Sequence, residues 1–300
     1  MSGTFNRGTG LLIIEVCGSN PNGDPDAEGE PRTIGADRRG LISPVSFKRK
    51  LRDIVADESG DARRAWDAIG LADSSNRLGI LEARRRKRDE ISKLDRDAFV
   101  SAYWDARVFG NTFLESMKGA DKDKSADRDH FIRTGVVQFG PGISIAPVDI
   151  EYGTWTNKAG VEGDKDRGLA PLTWRFVPHA IYAMPFFVNP LVAGKSGCTA
   201  ADIALMKFVI PLAYRATASV ARPNVDILHA WYAEHMSPLG SCPDWRIIDA
   251  MTPAKITDSN KPSQSRAEYH IPGEGDLPPE IRGRLRSFED LTVKEWVASA

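Results

Sequence analysis

The chain has 300 residues, 41% hydrophobic and 27% charged, a composition typical of globular proteins. Its 40 lysines and arginines nearly balance 41 aspartates and glutamates, so any positive surface for nucleic acid must be local. The three cysteines show neither zinc-ligand nor Cys-x-x-Cys spacing, which fits a reducing cytoplasm. No segment approaches the roughly 18 apolar residues that span a bilayer, and residues 1–16 are not typical of a signal peptide, so we expect no membrane association.

The first predicted elements are a buried strand, a long loop and a basic helix. Residues 9–17 form a short apolar run with β-branched members, which predicts the strand. Glycine, asparagine, proline and aspartate crowd residues 18–36, which predicts the loop. Ser43-Pro44 marks the start of a helix over residues 45–56. Residues 32–52 contain seven basic side chains and one acidic one, so positive charge is concentrated around this helix.

The next part of the chain is highly charged, and its apolar residues recur at helical spacing. We predict two or three solvated helices over residues 60–105, within a helical insertion at 57–130. In this insertion, residues 84–88 are all basic, and the polar span 116–130 predicts a mobile loop.

Two segments in the middle of the chain have β-type patterns. Residues 135–152 alternate around a Gly-Pro-Gly kink, and residues 174–188 read as a core strand with two proline breaks. The polar residues 153–171 between them predict an exposed hairpin.

The remaining chain predicts one further helix and an irregular tail. Thr199 and Asp202 form a capping-box pattern that opens a helix reaching about Arg222. Residues 257–287 are rich in proline, glycine and charge, and are predicted to be the least structured segment. Strands that alternate with helices predict an α/β sandwich with its sheet covered on one face.

The sequence patterns of common catalytic and metal sites are missing. Gly194-Lys195-Ser196 resembles the end of a phosphate-binding loop, but Asn189 stands where that loop needs a glycine. Ser196 lacks a nucleophile-elbow pattern, and no two of the five histidines have zinc-protease spacing. His179 lies in an apolar strand and is interpreted as a hydrogen-bonded core residue. We therefore predict no enzyme activity, no catalytic residue, no metal site and no cofactor.

The most unusual local feature is the loop from Asn20 to Asp26, with the sequence Asn-Pro-Asn-Gly-Asp-Pro-Asp. Asp24 and Asp26 stand two residues apart and could hold a metal ion or act as a general base. Asn-Gly and Asp-Pro are also strong turn formers, and on this chemistry we favour a turn.

The helix over 45–56 also permits two interpretations. Its basic side chains could neutralise phosphates, or they could form an ordinary solvated surface. They are Lys48, Arg49, Lys50 and Arg52. No acidic residue separates them before Asp53, which disfavours simple ion pairing along the helix. A recognition motif for bases on a sheet is missing, so contact with the RNA backbone is the nucleic-acid function that remains.

The strand, the Asn20–Asp26 loop and the segment Phe47-Lys48-Arg49-Lys50-Leu51-Arg52-Asp53 together resemble the repeated backbone subunit of CRISPR Cascade complexes. This is the Cas-seven family of the RAMP superfamily, and the nearest pattern is that of subtype I-C. Weaker similarities follow in family order over about residues 9–225. They lie at 105–110, 135–139, 177–182 and the helix from Thr199. Val136 and His179 depart from the family pattern, and residues 240–300 match none of it.

The resemblance implies a modified RRM-like or ferredoxin-like palm over residues 1–300. The palm would carry a helical finger insertion at 57–130, a β-hairpin thumb that by position is 152–172, and an extended segment at 257–287. Carried over by position, the implied RNA-binding residues are Asn20, Asn22, Lys48, Arg49, Arg52 and Arg107.

The same resemblance implies a cytoplasmic, non-catalytic subunit of a type I Cascade. Such a subunit polymerises along the guide RNA and presents it for pairing with target DNA in antiviral defence. The implied partners are CRISPR RNA, target DNA through the guide, head-to-tail copies of the chain and other Cascade subunits.

Two alternatives stay open. The first is a metal-dependent ribonuclease that uses Asp24 or Asp26, because some related backbone subunits cut RNA with a loop aspartate. The second is a scaffold that binds only protein, with residues 84–88 as the contact.

Overall fold

The computed structural model describes residues 5–57, 78–83, 91, 94, 96–113, 131–158 and 169–293. Most of the predicted insertion at 57–130, including the basic run 84–88 and the loop 116–130, lies outside the described residues. The described helices are α1 (Pro44–Val55), α2 (Arg96–Ala102), α3 (Trp104–Phe109), α4 (Ala193–Ser196), α5 (Ala200–Val209), α6 (Asp244–Met251) and α7 (Pro279–Arg282). The described strands are β1 (Gly8–Ser19), β2 (Gly23–Asp24), β3 (Glu30–Pro31), β4 (Thr33–Ile34), β5 (Arg39–Ile42), β6 (Gly110–Phe113), β7 (Phe131–Thr134), β8 (Val137–Phe139), β9 (Gly142–Pro147), β10 (Glu151–Lys158), β11 (Leu169–Val188), β12 (Val225–His235), β13 (Ala254–Lys255), β14 (Tyr269–His270) and β15 (Leu285–Asp290).

The centre of the fold is a β-α-β-β-α-β arrangement. In chain order, its elements are β1, α1, β9, β11, α5 and β12. Their strands lie side by side in the order β12-β1-β11-β9. Every pairing among them is antiparallel. This connectivity is that of ferredoxin-like and RRM folds, so the predicted mixed α/β palm is confirmed. β15 extends the sheet beyond β12, and β5 and β4 extend it beyond β9.

The central strand β1 divides its side chains between two cores. Leu12, Ile14 and Val16 point into the first core, which contains buried residues of α1, α3 and α5. Leu11 and Ile13 point to the opposite face, into a second core that α6, α7 and β15 close. Since alternate residues of a strand face opposite sides of a sheet, both faces of this sheet are covered. The prediction of a single covered face is therefore wrong.

The C-terminal segment builds this second core, which corrects the prediction that residues 257–287 are the least structured. Tyr269, Leu277, Ile281 and Leu285 are buried although the segment contains few apolar residues. Polar side chains form hydrogen bonds with backbone groups in its turns. Glu268, for example, accepts hydrogen bonds from two backbone N–H groups. Composition alone misses such a segment because a few well-spaced apolar side chains suffice to hold it on a sheet.

Helix α1 confirms the helix predicted over 45–56. Ser43 caps it by accepting a hydrogen bond from the Ser46 N–H, and Pro44 occupies the first helical position. Phe47, Leu51 and the last turn pack into the first core. The loop before the helix is thereby held to the edge of the palm.

Strand β11 runs through its prolines without a break, contrary to the two predicted interruptions. The Pro185 carbonyl oxygen accepts a hydrogen bond from the Gly140 N–H at 2.8 Å. Near Pro185 the strand paired with β11 changes from β9 to β8. The missing N–H of the proline therefore removes no regular hydrogen bond of the sheet. The strand is 20 residues long.

Helix α5 begins as predicted and ends earlier than predicted. Thr199 and Asp202 form the capping box. The helix stops at Val209, and Pro211 lies in a short 3-10 turn that follows, rather than in a helix continuing to Arg222. A proline inside a helix removes a hydrogen bond and clashes with the preceding turn, which explains the end point.

The hairpin region consists of β10 paired with the first part of β11, from Glu151 opposite Phe176 to Lys158 opposite Leu169. At its base, Trp174 and Phe176 stack with ring centroids 4.2 Å apart, while Arg175 forms an ion pair with Glu28 of the loop after β1. Its role as a thumb stays a prediction. Among the described helices, none has the length and apolar content to cross a membrane.

Candidate nucleic-acid interface

Two asparagines hold the loop after β1 in place, and one of them, Asn22, ties it to the start of α1. The Asn22 side-chain oxygen accepts a hydrogen bond from the Ser43 N–H at 2.7 Å. The Asn20 side-chain amide donates to the Gly29 carbonyl at 2.7 Å, and its backbone N–H donates to the Ala221 carbonyl at 2.8 Å. Both side chains are buried. Asn20 and Asn22 therefore shape this loop, and its contact with RNA stays a prediction.

Asp24 takes the turn role that its sequence context favours. Its Oδ1 accepts a hydrogen bond from the Asp26 N–H, and its Oδ2 forms an ion pair with Arg32 at 3.2 Å. Asp26 is exposed in the same turn. These contacts supply a structural reason for the aspartates, whereas the ribonuclease hypothesis stays a prediction.

Two of the predicted phosphate contacts lie inside the fold. Arg107 is 1% exposed, and its guanidinium donates to both carboxylate oxygens of Asp202, at 3.1 and 2.8 Å. Arg52 is 4% exposed and donates to Asp105 at 2.9 Å, with Glu82 3.1 Å away. Because each charge is compensated by a carboxylate, these arginines have structural roles here. This corrects the expectation that Arg52 and Arg107 present a free cationic surface.

The other two basic residues predicted to contact phosphate, Arg49 and Lys48, are only partly available to bind it. Arg49 forms an ion pair with Asp53 and donates to the Glu82 carbonyl oxygen at 2.7 Å. Lys48 has its ammonium 5.5 Å from the centre of the Phe109 ring. Desolvation by burial, followed by the charge of Arg52, lowers the pKa of Lys48. The charge of Glu82 acts in the opposite direction, but among the described residues Lys48 has no ion pair with a carboxylate.

A cationic cluster that the sequence analysis did not assign lies beside this helix; we call Lys50, Tyr214 and Arg222 the cationic pocket. Lys50 is 5% exposed, and its ammonium lies 5.1 Å from the centre of the Tyr214 ring. Its hydrogen-bond partners are the hydroxyl and carbonyl oxygens of Ser46, at 3.3 and 3.5 Å. Within the described part of the chain, neither Lys50 nor Arg222 has an ion pair with a carboxylate.

Burial has left this pocket short of hydrogen-bond partners. The Arg222 Nε and the Tyr214 hydroxyl are buried and have no partner among the described residues. Unpaired buried polar groups are rare in folded proteins, because each costs about 1 to 3 kcal/mol. The Arg222 Nε and the Tyr214 hydroxyl are hydrogen-bond donors beside the Lys50 ammonium, and this arrangement is suited to bind an anion.

The electrostatics of the pocket agree with this geometry. Desolvation by burial and, to a smaller extent, the positive charge of Arg222 lower the pKa of Lys50 to about 8, while Asp53 acts in the opposite direction. Desolvation raises the pKa of the Tyr214 hydroxyl, so Tyr214 stays neutral. A phosphate placed between Lys50 and Arg222 would compensate both charges.

A signal for Lys50 is present in the sequence. Phe47, Lys50, Leu51 and Ile54 recur at the i, i+3, i+4 and i+7 spacing of one helix face. A lysine on the apolar face of a helix is unusual and could have been identified as a candidate site residue. Arg222 gives no comparable signal, because the Lys50–Arg222 proximity depends on the tertiary fold.

Comparison with known proteins identifies related sequences. A family model described as CRISPR-associated protein Cas7 matches residues 6–274. The chain is 28% identical over 223 residues to a CRISPR-associated protein Cas7 of Haloferax volcanii, in an alignment that covers 67% of this chain and 62% of that relative. The chain thus spans less than two thirds of the length of this relative.

Solved structures with a similar arrangement come from RNA-guided assemblies, at low identity. A chain of a CRISPR RNA-guided surveillance complex has a TM-score of 0.40 and 14% identity, over 77% of this chain and 70% of its own. A pre-nicking form of such a complex gives 0.45 and 13%, over 77% and 79%. A chain of the Type III-B Cmr-beta complex bound to cognate target RNA gives 0.40 and 10%, over 76% and 61%.

Proposed function

The chain belongs to the family of CRISPR-associated protein Cas7, and we propose that it is the RNA-binding backbone subunit of a CRISPR effector complex. The observation that carries this proposal is the cationic pocket, where Lys50 and Arg222 lack a carboxylate partner among the described residues. RNA phosphate is an anion that recurs at every nucleotide and carries no sequence information, so a pocket of this kind suits any guide.

Because both faces of the sheet are covered, we infer that the protein contacts the RNA backbone rather than recognising bases. In RNA-binding domains of the RRM type, aromatic side chains on an open sheet face stack with bases. Here that face carries the second core, closed by α6, α7 and β15. RNA would therefore run along the side of the palm, past the loop after β1 and the start of α1. Asn20 and Asn22 would shape that path, and Lys48 and Arg49 would add contacts beside the cationic pocket.

The finer features of the proposal follow the resemblance in sequence. We propose a cytoplasmic, non-catalytic subunit of a type I Cascade, near subtype I-C, whose copies stack head to tail on CRISPR RNA and hold it for pairing with target DNA. Residues 152–172 would act as the thumb. The ion pair of Asp24 with Arg32 is the reason for preferring a structural loop to a ribonuclease site.

A double variant tests the cationic pocket directly. Lys50→Met with Arg222→Gln removes both uncompensated charges, and we expect the dissociation constant for single-stranded guide RNA to rise about tenfold or more. The slope of log affinity against log salt should become shallower by about 0.7, since the pocket binds one phosphate and each phosphate contact on a single strand contributes roughly 0.7. Fluorescence anisotropy at several salt concentrations measures both quantities.

The matched control removes two exposed cations elsewhere, Lys261→Gln with Arg286→Gln, whose side chains are 76% and 67% exposed. It changes net charge equally and leaves the pocket intact. Equal losses of affinity and slope in the two variants would show that RNA binds through general charge and would overturn the assignment of the pocket.

A further inference from the structure

A second group of side chains, on the opposite face of the sheet, has a chemistry that RNA binding does not use. Glu15, Cys17 and His179 place one ligand atom each within 4.8 Å of one another. Glu15 and Cys17 are two residues apart on β1, and His179 is the direct partner of Cys17 on β11. The register of the central sheet therefore fixes all three on one face, beneath the C-terminal segment.

We propose that Glu15, Cys17 and His179 form a zinc-binding site. Thiolate, imidazole and carboxylate are all established zinc ligands, and a thiolate disfavours Mg²⁺ and Ca²⁺. Three protein ligands with water in the fourth position is the composition of an open zinc site. This proposal is independent of the RNA contacts, which lie beside the first core.

The distances suit a tetrahedral ion. With zinc–nitrogen and zinc–oxygen bonds of about 2.1 Å, neighbouring ligand atoms stand roughly 3.4 Å apart. His179 Nε2 and Glu15 Oε1 are 3.4 Å apart. The thiol has to lie roughly 3.6 Å from each of them, given a zinc–sulfur bond of about 2.3 Å. The Cys17 sulfur lies within 4.8 Å of both atoms, so binding would require a movement of at most about 1.2 Å relative to each.

The histidine ring is held as metal-bound histidines usually are. Its Nδ1 lies 2.7 Å from the Ser263 hydroxyl oxygen, which accepts a hydrogen bond from the Tyr269 hydroxyl at 2.8 Å. When the ring carries its proton on Nδ1, the Nε2 lone pair faces Glu15 and Cys17. A hydrogen bond on the far nitrogen orients the ring and strengthens it as a ligand.

Arg266 places a positive charge against Glu15 at this site. Its guanidinium donates to both oxygens of Glu15, with the Nε contact at 3.0 Å. The Arg266 side chain is 56% exposed, so it can move aside without disturbing the core. Zinc would then bind Glu15 and deprotonated Cys17, and the thiol proton would pass to solvent. The ion would fasten the C-terminal segment to the sheet through His179 and its partner Ser263.

Zinc chloride and cobalt chloride added to the metal-stripped full chain test the site, in a buffer with a non-chelating phosphine reductant. We expect one equivalent of zinc to bind, and cobalt to give a thiolate-to-cobalt absorption band in the near ultraviolet. Cys17→Ser should remove the band, and His179→Gln should weaken zinc binding by about tenfold or more. Ser263→Ala should weaken it by roughly tenfold through the ring orientation, and Arg266→Gln should strengthen it, because a competing positive charge is gone.

Cys242→Ser is the matched control, because Cys242 is also a half-buried cysteine and belongs to the border of the second core. It should leave the cobalt band and the zinc affinity unchanged. Absence of bound zinc and of the band in the unmodified chain would overturn the proposal, and so would a band that persists in Cys17→Ser. Since the unmodified chain alone gives a decisive result, a variant that fails to fold does not leave the question open.

Discussion

Two groups of cations lie beside the first core, and they differ in one respect. Arg52 and Arg107 each have a carboxylate within hydrogen-bond distance, Asp105 and Asp202 respectively. Among the described residues, Lys50, in the cationic pocket with Arg222, has hydroxyl and carbonyl oxygens as hydrogen-bond partners and an aromatic ring beside it, and no ion pair with a carboxylate. A buried charge needs compensation. Where the described residues supply it, the cation serves the fold, and where they do not, we infer that a ligand supplies it.

The largest expected effect lies in the compensated group. Arg107→Ala leaves the Asp202 carboxylate buried without its partner, and removal of one member of a buried pair costs about 3 to 5 kcal/mol. The free energy of unfolding in urea should fall by that amount. Arg49→Ala, which removes a partly exposed pair with Asp53, should lower it by less than about 1 kcal/mol. Similar losses in both variants would show that burial does not set how much these arginine–carboxylate pairs contribute to stability.

The next effect is a pH dependence confined to the cationic pocket. The pKa of Lys50 is lowered to about 8 by desolvation and by Arg222, with Asp53 opposing and Tyr214 neutral. Phosphate binding requires the ammonium, so affinity for RNA should be constant below pH 7 and should fall as pH rises through 8. With one proton involved, the fall approaches about tenfold per pH unit well above the pKa.

Anisotropy titrations between pH 6.5 and pH 9.5, at roughly constant salt, measure this dependence. Lys50→Met should bind RNA more weakly and lose the transition near pH 8. Lys48→Met serves as the control, because it removes a neighbouring lysine whose pKa is also lowered but leaves Lys50 in place. A transition that survives in Lys50→Met would show that another group carries it.

The smallest expected effect is at the cap of α1, which supports both groups. Ser43→Ala removes the side-chain acceptor for the Ser46 N–H, a change that costs about 1 kcal/mol. Thermal unfolding should shift to lower temperature, while RNA affinity at a temperature well below unfolding should stay within about twofold. A loss of affinity as large as that of the double pocket variant would mean that helix placement, rather than charge, controls binding.

The regular elements were predictable because their signals are local. The apolar run of β1, the Ser43-Pro44 start of α1 and the Thr199–Asp202 capping box each appear within a few neighbouring residues, and the structure confirms all three. The end of α5 also had a local signal in Pro211, which the prediction of a helix to Arg222 did not weigh enough. The uninterrupted β11 had none, since the tolerance for Pro185 depends on which strand lies beside it.

The candidate site was less predictable because the decisive information is long-range. Arg52 and Arg107 look like their basic neighbours in sequence, and their partners lie 53 and 95 residues away. Lys50 belongs to the site because Tyr214 and Arg222 come to it through the fold. Basic residues can be counted in a sequence, whereas their compensation depends on contacts between distant parts of the chain.

The continuity of β11 has a consequence for how the hairpin is aimed. At about 3.3 Å per residue, its 20 residues extend over roughly 66 Å, with one part paired to β1 and the other to β10. Deleting a single residue between Val177 and Tyr182 would exchange the two sides of the strand beyond that point. Arg175 would then turn away from Glu28, and Trp174 would take its side. The direction of the hairpin thus depends on whether the number of residues in this stretch is odd or even. Inserting or deleting two residues preserves the direction, and inserting or deleting one inverts it.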